Sequence, residues 1–264
     1  MRAIRFGMVG SIGASTRCRR SRGDAIAADA AESPLSLLLE LPVSDLLETL
    51  EMETGSLPRH AVIWLHGLGA DGHDFEQIVP ELVGRQWPPL RFIFPHAPVR
   101  PITVNGGMRM RGWYDIGGVD IAHKQDGPGI RASIAAIEQL IARENARGIP
   151  AERIILAGFS QGGAVTLAAG LRRSEPLLAM IALSTYLPLH ETFPAEAAKA
   201  SLSVPIFMGH GKHDPVVPES LGAMSRDWLK AAGCPVDWHS YPMPHSVCAE
   251  EIRDLRAWME PKLT

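Results

Sequence analysis

Short apolar runs alternate with longer amphipathic stretches along the chain from His60 onward. The runs are apolar at nearly every position and rich in β-branched residues, which is typical of strands buried on both faces of a sheet. The predicted strands are 61–65, 90–94, 154–157, 179–183, 205–208 and 236–241, and the predicted helices lie near 74–84, 128–146, 161–172, 219–232 and 247–260. This alternation predicts an α/β fold with a mostly parallel central sheet and helices on both faces.

The first 52 residues do not follow this pattern, and we expect residues 1–52 to be an N-terminal extension and residues 53–264 to be the catalytic domain. Residues 1–23 contain six arginines and no acidic residue, a composition typical of targeting leaders and of disordered segments. A secretory signal is one interpretation, and a true translation start at Met52 is another. The apolar residues within 34–50 are consistent with an amphipathic helix broken at Pro42.

Composition narrows the functional classes. The 264 residues suffice for one large domain, and the formal net charge of −3, without a Lys/Arg cluster in the body of the chain, argues against nucleic-acid binding. Three scattered cysteines without Cys-x-x-Cys spacing favour a reducing, cytoplasmic compartment, although the N-terminal leader keeps export open. No apolar run approaches the length of about 18 residues needed for a membrane span, so no integral membrane contact is expected.

A nucleophile motif joins the predicted strand at 154–157 to the helix after it. Gly158-Phe159-Ser160-Gln161-Gly162 has the Gly-x-Ser-x-Gly spacing of a nucleophile elbow, a strained strand-to-helix turn that exposes the serine hydroxyl. Glycine is needed at both ends because strand and helix pass too close there for side chains. Ser160 is therefore the predicted nucleophile.

A serine hydroxyl is a weak nucleophile, so it needs a histidine base and a carboxylate that orients the histidine. In α/β-hydrolases the acid and then the histidine follow the serine along the chain. Asp214, in a Pro-flanked turn after the predicted strand at 205–208, is the predicted acid. Two alternatives stay open: Asp214 caps the helix near 219–232, or it binds a metal together with His210 and His213.

The predicted general base is His245, which lies in the loop between the predicted strand at 236–241 and the last helix. His239 is a weaker candidate because it lies inside that strand, where its side chain is expected to be packed or solvated.

A second glycine-rich turn, residues 66–72, follows the first predicted strand. Acyl transfer needs two backbone N–H groups aimed at the developing oxyanion, and Leu68 and Gln161 are placed to supply them. His66 is expected to brace this turn rather than to react. The segment lacks the Lys-Ser/Thr of a P-loop, which argues against phosphate binding.

These motifs together resemble the acyl-protein thioesterase and carboxylesterase family, the small cytosolic α/β-hydrolases also called phospholipase/carboxylesterases. The resemblance covers roughly His60 to the C-terminus, and segment 182–188 looks like the bacterial carboxylesterase members. It implies an α/β-hydrolase fold without a large lid domain. It also implies that Ser160, Asp214 and His245 form the triad, with Leu68 and Gln161 as oxyanion-hole donors. The motifs that carry the resemblance are 64–69, 105–116, 158–163, 182–188, 209–214 and 241–245.

Apolar and aromatic residues in loops near the strand ends are candidates for substrate binding. Trp113, Tyr114 and Tyr186, together with Leu68, are suited to line a groove for an acyl chain. The alternative is that Trp113 and Tyr114 only pack their loop onto the domain.

The sequence therefore predicts a serine hydrolase that cleaves carboxylic esters or acyl thioesters through an acyl-enzyme intermediate, with no cofactor and no metal. The expected substrates are small acyl esters or thioesters, with acylated proteins and lysophospholipids as larger candidates. Monomer and homodimer are both compatible with the sequence. Two other functions stay open: a catalytically idle ligand-binding scaffold and a metal-dependent hydrolase.

Overall fold

The computed structural model describes residues 46–118 and 125–263. The strands are β1 (Thr49–Glu53), β2 (His60–Leu65), β3 (Leu90–Pro95), β4 (Val99–Ile102), β5 (Met108–Arg111), β6 (Ile154–Phe159), β7 (Ala179–Leu183), β8 (Ile206–Gly211) and β9 (Val236–Tyr241). The helices are α1 (Val79–Leu82), α2 (Gly127–Ala146), α3 (Gln161–Gly170), α4 (Phe193–Glu196), α5 (Glu219–Ala231) and α6 (Ala249–Leu263). Seven of the strands form one sheet in the order β1-β3-β2-β6-β7-β8-β9.

The predicted α/β fold is confirmed. In this sheet the strands β3, β2, β6, β7, β8 and β9 each pair in parallel with their neighbours in that order. The edge strand β1 pairs with β3 and is the antiparallel member of the sheet. All six predicted strands are present, with boundaries shifted by a few residues at most. The helix predicted near 74–84 is instead a 3-10 turn, Glu76–Ile78, followed by the four-residue α1. Pro80 at the start of α1 has no N–H to donate, and Val83 already leaves the helix in an extended conformation.

The sheet also contains a strand that the sequence reasoning missed. Four of the five residues of β1 belong to the segment predicted to be an N-terminal extension. The predicted domain boundary, between residues 52 and 53, therefore cuts through β1. Leu50 and Met52 pack against the core while Glu51 and Glu53 alternate with them, the pattern of a half-buried edge strand. The helix expected over 45–50 is therefore wrong where the structure describes it; the other expectations for residues 1–45 lie outside the described residues.

The two faces of the sheet carry separate hydrophobic cores. Val62 and Trp64 of β2 belong to the core that includes α1 and α6, whereas Ile63 and Leu65 belong to the core that includes α2 and α3. Alternate residues of a strand point to opposite faces, so a nearly continuous apolar run is what a doubly covered strand requires.

The carboxyl ends of the parallel strands bring the candidate residues to one edge of the sheet. Leu68 follows β2, Ser160 follows β6, Asp214 follows β8 and His245 follows β9. No lid domain is present in the described ranges; β4 and β5 form only a small hairpin beside the sheet. Within those ranges, too, no helix combines the length and the apolar character that a membrane crossing requires.

Candidate active site

The turn between β6 and α3 holds Ser160 in a strained backbone conformation. Its φ of 55° and ψ of −120° are rarely adopted by a residue with a side chain. The Ser160 N–H donates to the Leu183 carbonyl at 2.9 Å, and the Thr185 hydroxyl donates to the Ser160 carbonyl at 2.7 Å. The end of β7 therefore fixes the serine in the geometry of a nucleophile elbow.

Two of the elbow glycines are required because other backbone atoms come too close. A Cβ on Gly158 would lie 2.4 Å from the carbonyl carbon of Gly162. A Cβ on Gly162 would lie 2.3 Å from the carbonyl oxygen of Leu65, at the end of β2. The close packing of β6, α3 and β2 at this point therefore requires glycine at both positions.

A chain of hydrogen bonds joins the serine, the histidine and the aspartate. The Ser160 hydroxyl lies 2.9 Å from Nε2 of His245, and Nδ1 of His245 lies 2.6 Å from Oδ2 of Asp214. With the His245 proton on Nδ1 donating to Asp214, Nε2 is free to accept the serine proton. The His245 ring also packs against Phe159, with ring centroids 4.7 Å apart.

Asp214 is buried and fully partnered. Besides His245 it accepts the backbone N–H groups of Val216 and Val217, each at 2.8 Å. Burial alone would raise the pKa of Asp214, but the hydrogen bond and charge of His245 and the two backbone donors outweigh it, so the pKa is lowered. The carboxylate is therefore ionised at neutral pH.

The two alternatives for Asp214 do not match the geometry. Its side chain bonds within its own turn and does not cap α5, which begins after Pro218 without a side-chain cap. Nε2 of His210 lies 3.7 Å from Oδ2 of Asp214, but its N–H donates to the Val217 carbonyl at 2.9 Å. His213 is exposed, and these three side chains do not form a metal-ligand group in the described part of the chain. The competing base His239 stacks on Phe207, with ring centroids 4.8 Å apart.

His66 braces the glycine-rich turn, as expected. Its Nε2 accepts the Ala97 N–H at 3.0 Å and its Nδ1 lies 2.7 Å from the Gly67 carbonyl, where Nδ1–H donates. Burial lowers the pKa of His66 to about 4, so the ring is neutral. The Gly69 N–H donates to the Arg111 carbonyl at 2.8 Å, which ties the turn to the end of β5.

The turn lies directly beside the nucleophile. A Cβ built on Gly67 would lie 3.5 Å from Cβ of Ser160, so the backbone that carries Leu68 abuts the serine. Gln161, the other predicted donor, is the first residue of α3, where backbone N–H groups and the helix dipole favour negative charge. The structure thus brings both predicted oxyanion donors to the serine.

The Gln161 side chain has a role that the sequence did not reveal. Its Oε1 accepts the Trp113 N–H at 2.8 Å and its Nε2 donates to the Tyr114 carbonyl at 2.7 Å. The Trp113 indole N–H in turn donates to the His66 carbonyl at 2.9 Å. The segment after β5 is therefore bonded to the elbow and to the glycine-rich turn at once.

The three aromatic residues proposed to line an acyl groove lie in the interior. Trp113, Tyr114 and Tyr186 are almost wholly buried, and the two tyrosine hydroxyls are hydrogen-bonded to each other at 2.9 Å. Their burial does not fit an open groove. For Trp113 and Tyr114 it fits the alternative that they pack their loop onto the domain, and Tyr186 is buried with them. Val216, which is bonded to Asp214 through its backbone N–H, has an exposed apolar side chain, 58% accessible.

Within residues 46–118 and 125–263, one group of side chains has the composition of a metal-ligand set. Asp71, His73 and His96 offer ligand atoms that all lie within 4.8 Å of one another. The group is on the outer side of the glycine-rich turn, and no sequence motif pointed to it because His96 follows β3, distant in the chain from the other two.

Comparison with known proteins supports the same family as the motifs. The family model described as Phospholipase/Carboxylesterase matches residues 48–262. Acyl-protein thioesterase 1 of Neurospora crassa is 43% identical over 219 residues, which cover 79% of this chain and 89% of that protein. Acyl-protein thioesterase 1 of Yarrowia lipolytica is 37% identical, over 76% of this chain and 91% of that protein. These relatives are fungal, so the expected likeness to bacterial members is not supported.

Solved structures of related proteins have a similar fold. Arabidopsis thaliana SOBER1 is similar with a TM-score of 0.74 and 28% identity, over 78% of this chain and all of that chain (100%). Zea mays acyl-protein thioesterase 2 has a TM-score of 0.72 and 28% identity, over 83% of this chain and 100% of that chain.

Proposed function

Because the chain belongs to the phospholipase/carboxylesterase family and is a hydrolase of ester or thioester bonds, we propose that Ser160, His245 and Asp214 are its catalytic triad. One observation carries this proposal: the continuous hydrogen-bonded path from the Ser160 hydroxyl through His245 to Asp214, at 2.9 and 2.6 Å. These are contacts within the range needed for proton transfer to a general base.

In the proposed reaction His245 Nε2 takes the Ser160 proton as Oγ attacks the acyl carbonyl carbon. The proton then passes from His245 to the leaving alcohol or thiol, leaving an acyl-serine ester. Water, deprotonated by the same histidine, hydrolyses that ester and restores the serine. Asp214, kept ionised by its three donors, orients the ring and stabilises its cationic form.

The backbone N–H groups of Leu68 and Gln161 are the proposed donors to the developing oxyanion. Gln161 lies at the N-terminus of α3 and Leu68 lies in the turn that abuts Ser160. Because His66 and the Gln161 side chain already hold this backbone in place, little reorganisation is needed as charge develops.

The proposed substrates are acyl thioesters and esters, including acylated proteins and lysophospholipids. The relatives named as acyl-protein thioesterases support acyl thioesters on proteins as substrates. Half-buried Leu68, next to the glycine that abuts Ser160, and exposed Val216, whose N–H donates to Asp214, supply apolar surface for an acyl chain. We propose a cytoplasmic location, on the basis of the scattered cysteines; of these Cys234 and Cys248 are free.

The test is the specificity constant of the purified enzyme on matched oxyesters and thioesters, from acetyl to palmitoyl, measured for the wild type and Ser160→Ala. The account predicts that Ser160→Ala lowers kcat by several orders of magnitude and leaves the fold intact. Ser220→Ala, which removes an exposed serine on α5, is the matched control and should retain full activity. Rising efficiency toward long thioesters would favour acylated proteins; turnover that survives in Ser160→Ala would overturn the triad.

A further inference from the structure

The outer side of the glycine-rich turn carries two imidazoles and two carboxylates. Asp71 belongs to the turn, His73 comes directly after it, and His96 follows β3. Asp74 is close enough to Asp71 for the two charges to interact. The His73 side chain is 60% exposed, so an ion from solvent can reach the group.

Hydrogen bonds hold the potential ligand atoms together. Nδ1 of His73 lies 3.0 Å from Oδ1 of Asp71, and Nδ1 of His96 accepts the Gly72 N–H at 3.1 Å. The His73 and His96 rings are tilted by 44° to each other, with centroids 5.6 Å apart. All three ligand atoms lie within 4.8 Å of one another. An ion bound at about 2 Å from each ligand therefore requires only small movements, chiefly of exposed His73.

We propose that Asp71, His73 and His96 form a binding site for a first-row divalent transition metal of the Zn²⁺ type. Two imidazoles and one carboxylate are ligands that Zn²⁺ prefers, with water completing a tetrahedral set. Mg²⁺ and Ca²⁺ prefer oxygen ligands, so the imidazoles select against them.

The site is coupled to the backbone that carries Leu68. The Gly72 N–H donates to Nδ1 of His96 at 3.1 Å, so a metal bound through that nitrogen would remove a hydrogen bond that holds the turn in place. This consequence rests on the proposed oxyanion role of Leu68: metal binding is expected to lower kcat with little change in KM.

The decisive experiment measures binding directly, without reference to activity. Chelator-treated enzyme is titrated with Zn²⁺ by calorimetry and with Co²⁺ by visible absorption, which reports the coordination geometry. The wild type is expected to bind one equivalent at this site. His73→Ala removes an exposed ligand and should weaken binding at least about tenfold. His190→Ala, a histidine stacked on Trp228 in another part of the fold, should bind as the wild type does.

A second ligand variant, Asp71→Asn, keeps the size of the side chain and removes its charge, so it should also weaken binding while the protein stays folded. Equal Zn²⁺ affinity in the wild type, His73→Ala and Asp71→Asn, or no binding by the wild type, would overturn the site. Inhibition of the wild type by Zn²⁺, relieved in His73→Ala, tests the coupling. Failure of the triad in the esterase assay would leave the binding result unaffected, so the two proposals are separable.

Discussion

Two buried carboxyl groups, those of Asp214 and Glu251, are in opposite states of ionisation. Asp214 accepts three hydrogen bonds and its pKa is lowered. Glu251, at the start of α6, is wholly buried and neither of its oxygens makes a hydrogen bond to a described residue. Burial raises the pKa of Glu251 to about 8.

The difference shows that burial alone does not decide whether a carboxyl group is charged. Desolvation opposes the charge at both positions, and only the donors around Asp214 reverse the outcome. The group that has to be anionic for catalysis is surrounded by N–H donors, whereas Glu251 is neutral at pH 7 and behaves as part of the apolar interior.

The largest expected effect is on catalysis. Asp214→Asn keeps the shape of the side chain but removes the charge that stabilises the histidinium form of His245. We expect kcat to fall by about four orders of magnitude, measured on a short-chain p-nitrophenyl ester. Retention of more than about a tenth of the activity would mean that Asp214 does not orient the histidine.

The same comparison predicts an opposite response at Glu251. Glu251→Gln keeps the volume but cannot ionise. In the wild type the unfolded chain loses its Glu251 proton at its ordinary pKa of 4.5, whereas the folded protein keeps it up to about 8. Stability contributed by this group therefore falls as pH rises through that window, by about 3 to 5 kcal/mol at most.

The measurement is the free energy of unfolding in urea for both proteins, between about pH 5 and about pH 9. Glu251→Gln should be close to the wild type at the acid end and more stable at the alkaline end. Parallel pH profiles would show that Glu251 is ionised in the folded protein at neutral pH.

Gly209 offers a smaller test of where the Glu251 carboxyl group lies. A Cβ on Gly209 would be 2.1 Å from Oε1 of Glu251, so Gly209→Ala should cost about 1 to 3 kcal/mol through overpacking. In a Glu251→Ala background the same substitution should cost much less, because the crowding atom is gone. Urea unfolding of the four proteins of this double-mutant cycle measures the coupling; equal costs in both backgrounds would mean that the two side chains do not meet.

The smallest effect is expected at the acid end of the stability profile. Asp214 has a lowered pKa, so its contribution is complete above the unfolded pKa and is lost as pH falls through the folded one. Asp214→Asn should therefore lose less stability on acidification than the wild type does. Thermal unfolding from neutral pH into the acid range checks this, and an unchanged acid limb would contradict it.

The positions of Ser160, Asp214 and His245 could be predicted from the sequence because each lies within a few residues of the carboxyl end of a predicted strand. Parallel strands end at one edge of the sheet, so chain order already implies proximity. The need for glycine at both ends of the elbow could also be predicted. β6, α3 and β2 approach one another so closely there that a Cβ atom would clash with the backbone.

The features that were missed depend on partners distant in the chain. β1 alternates apolar and polar residues, but its place in the sheet is decided by pairing with β3. Trp113 and Tyr114 are held in the interior by hydrogen bonds to Gln161 and His66, and the local sequence does not indicate these partners. Glu251 is four residues before the buried Leu255 on α6, a spacing that signals a common helix face, although the sequence does not show that its carboxyl group lacks a partner.

The central claim is that Ser160 is a nucleophile activated by His245 and Asp214, and covalent labelling tests it most directly. The enzyme is treated with a fluorophosphonate and the modified peptide is identified by mass spectrometry, for the wild type, Ser160→Ala and Asp214→Asn. The account predicts one label per chain on Ser160, none in Ser160→Ala and slow labelling in Asp214→Asn. An unlabelled wild type, or a label that persists in Ser160→Ala, would contradict the account.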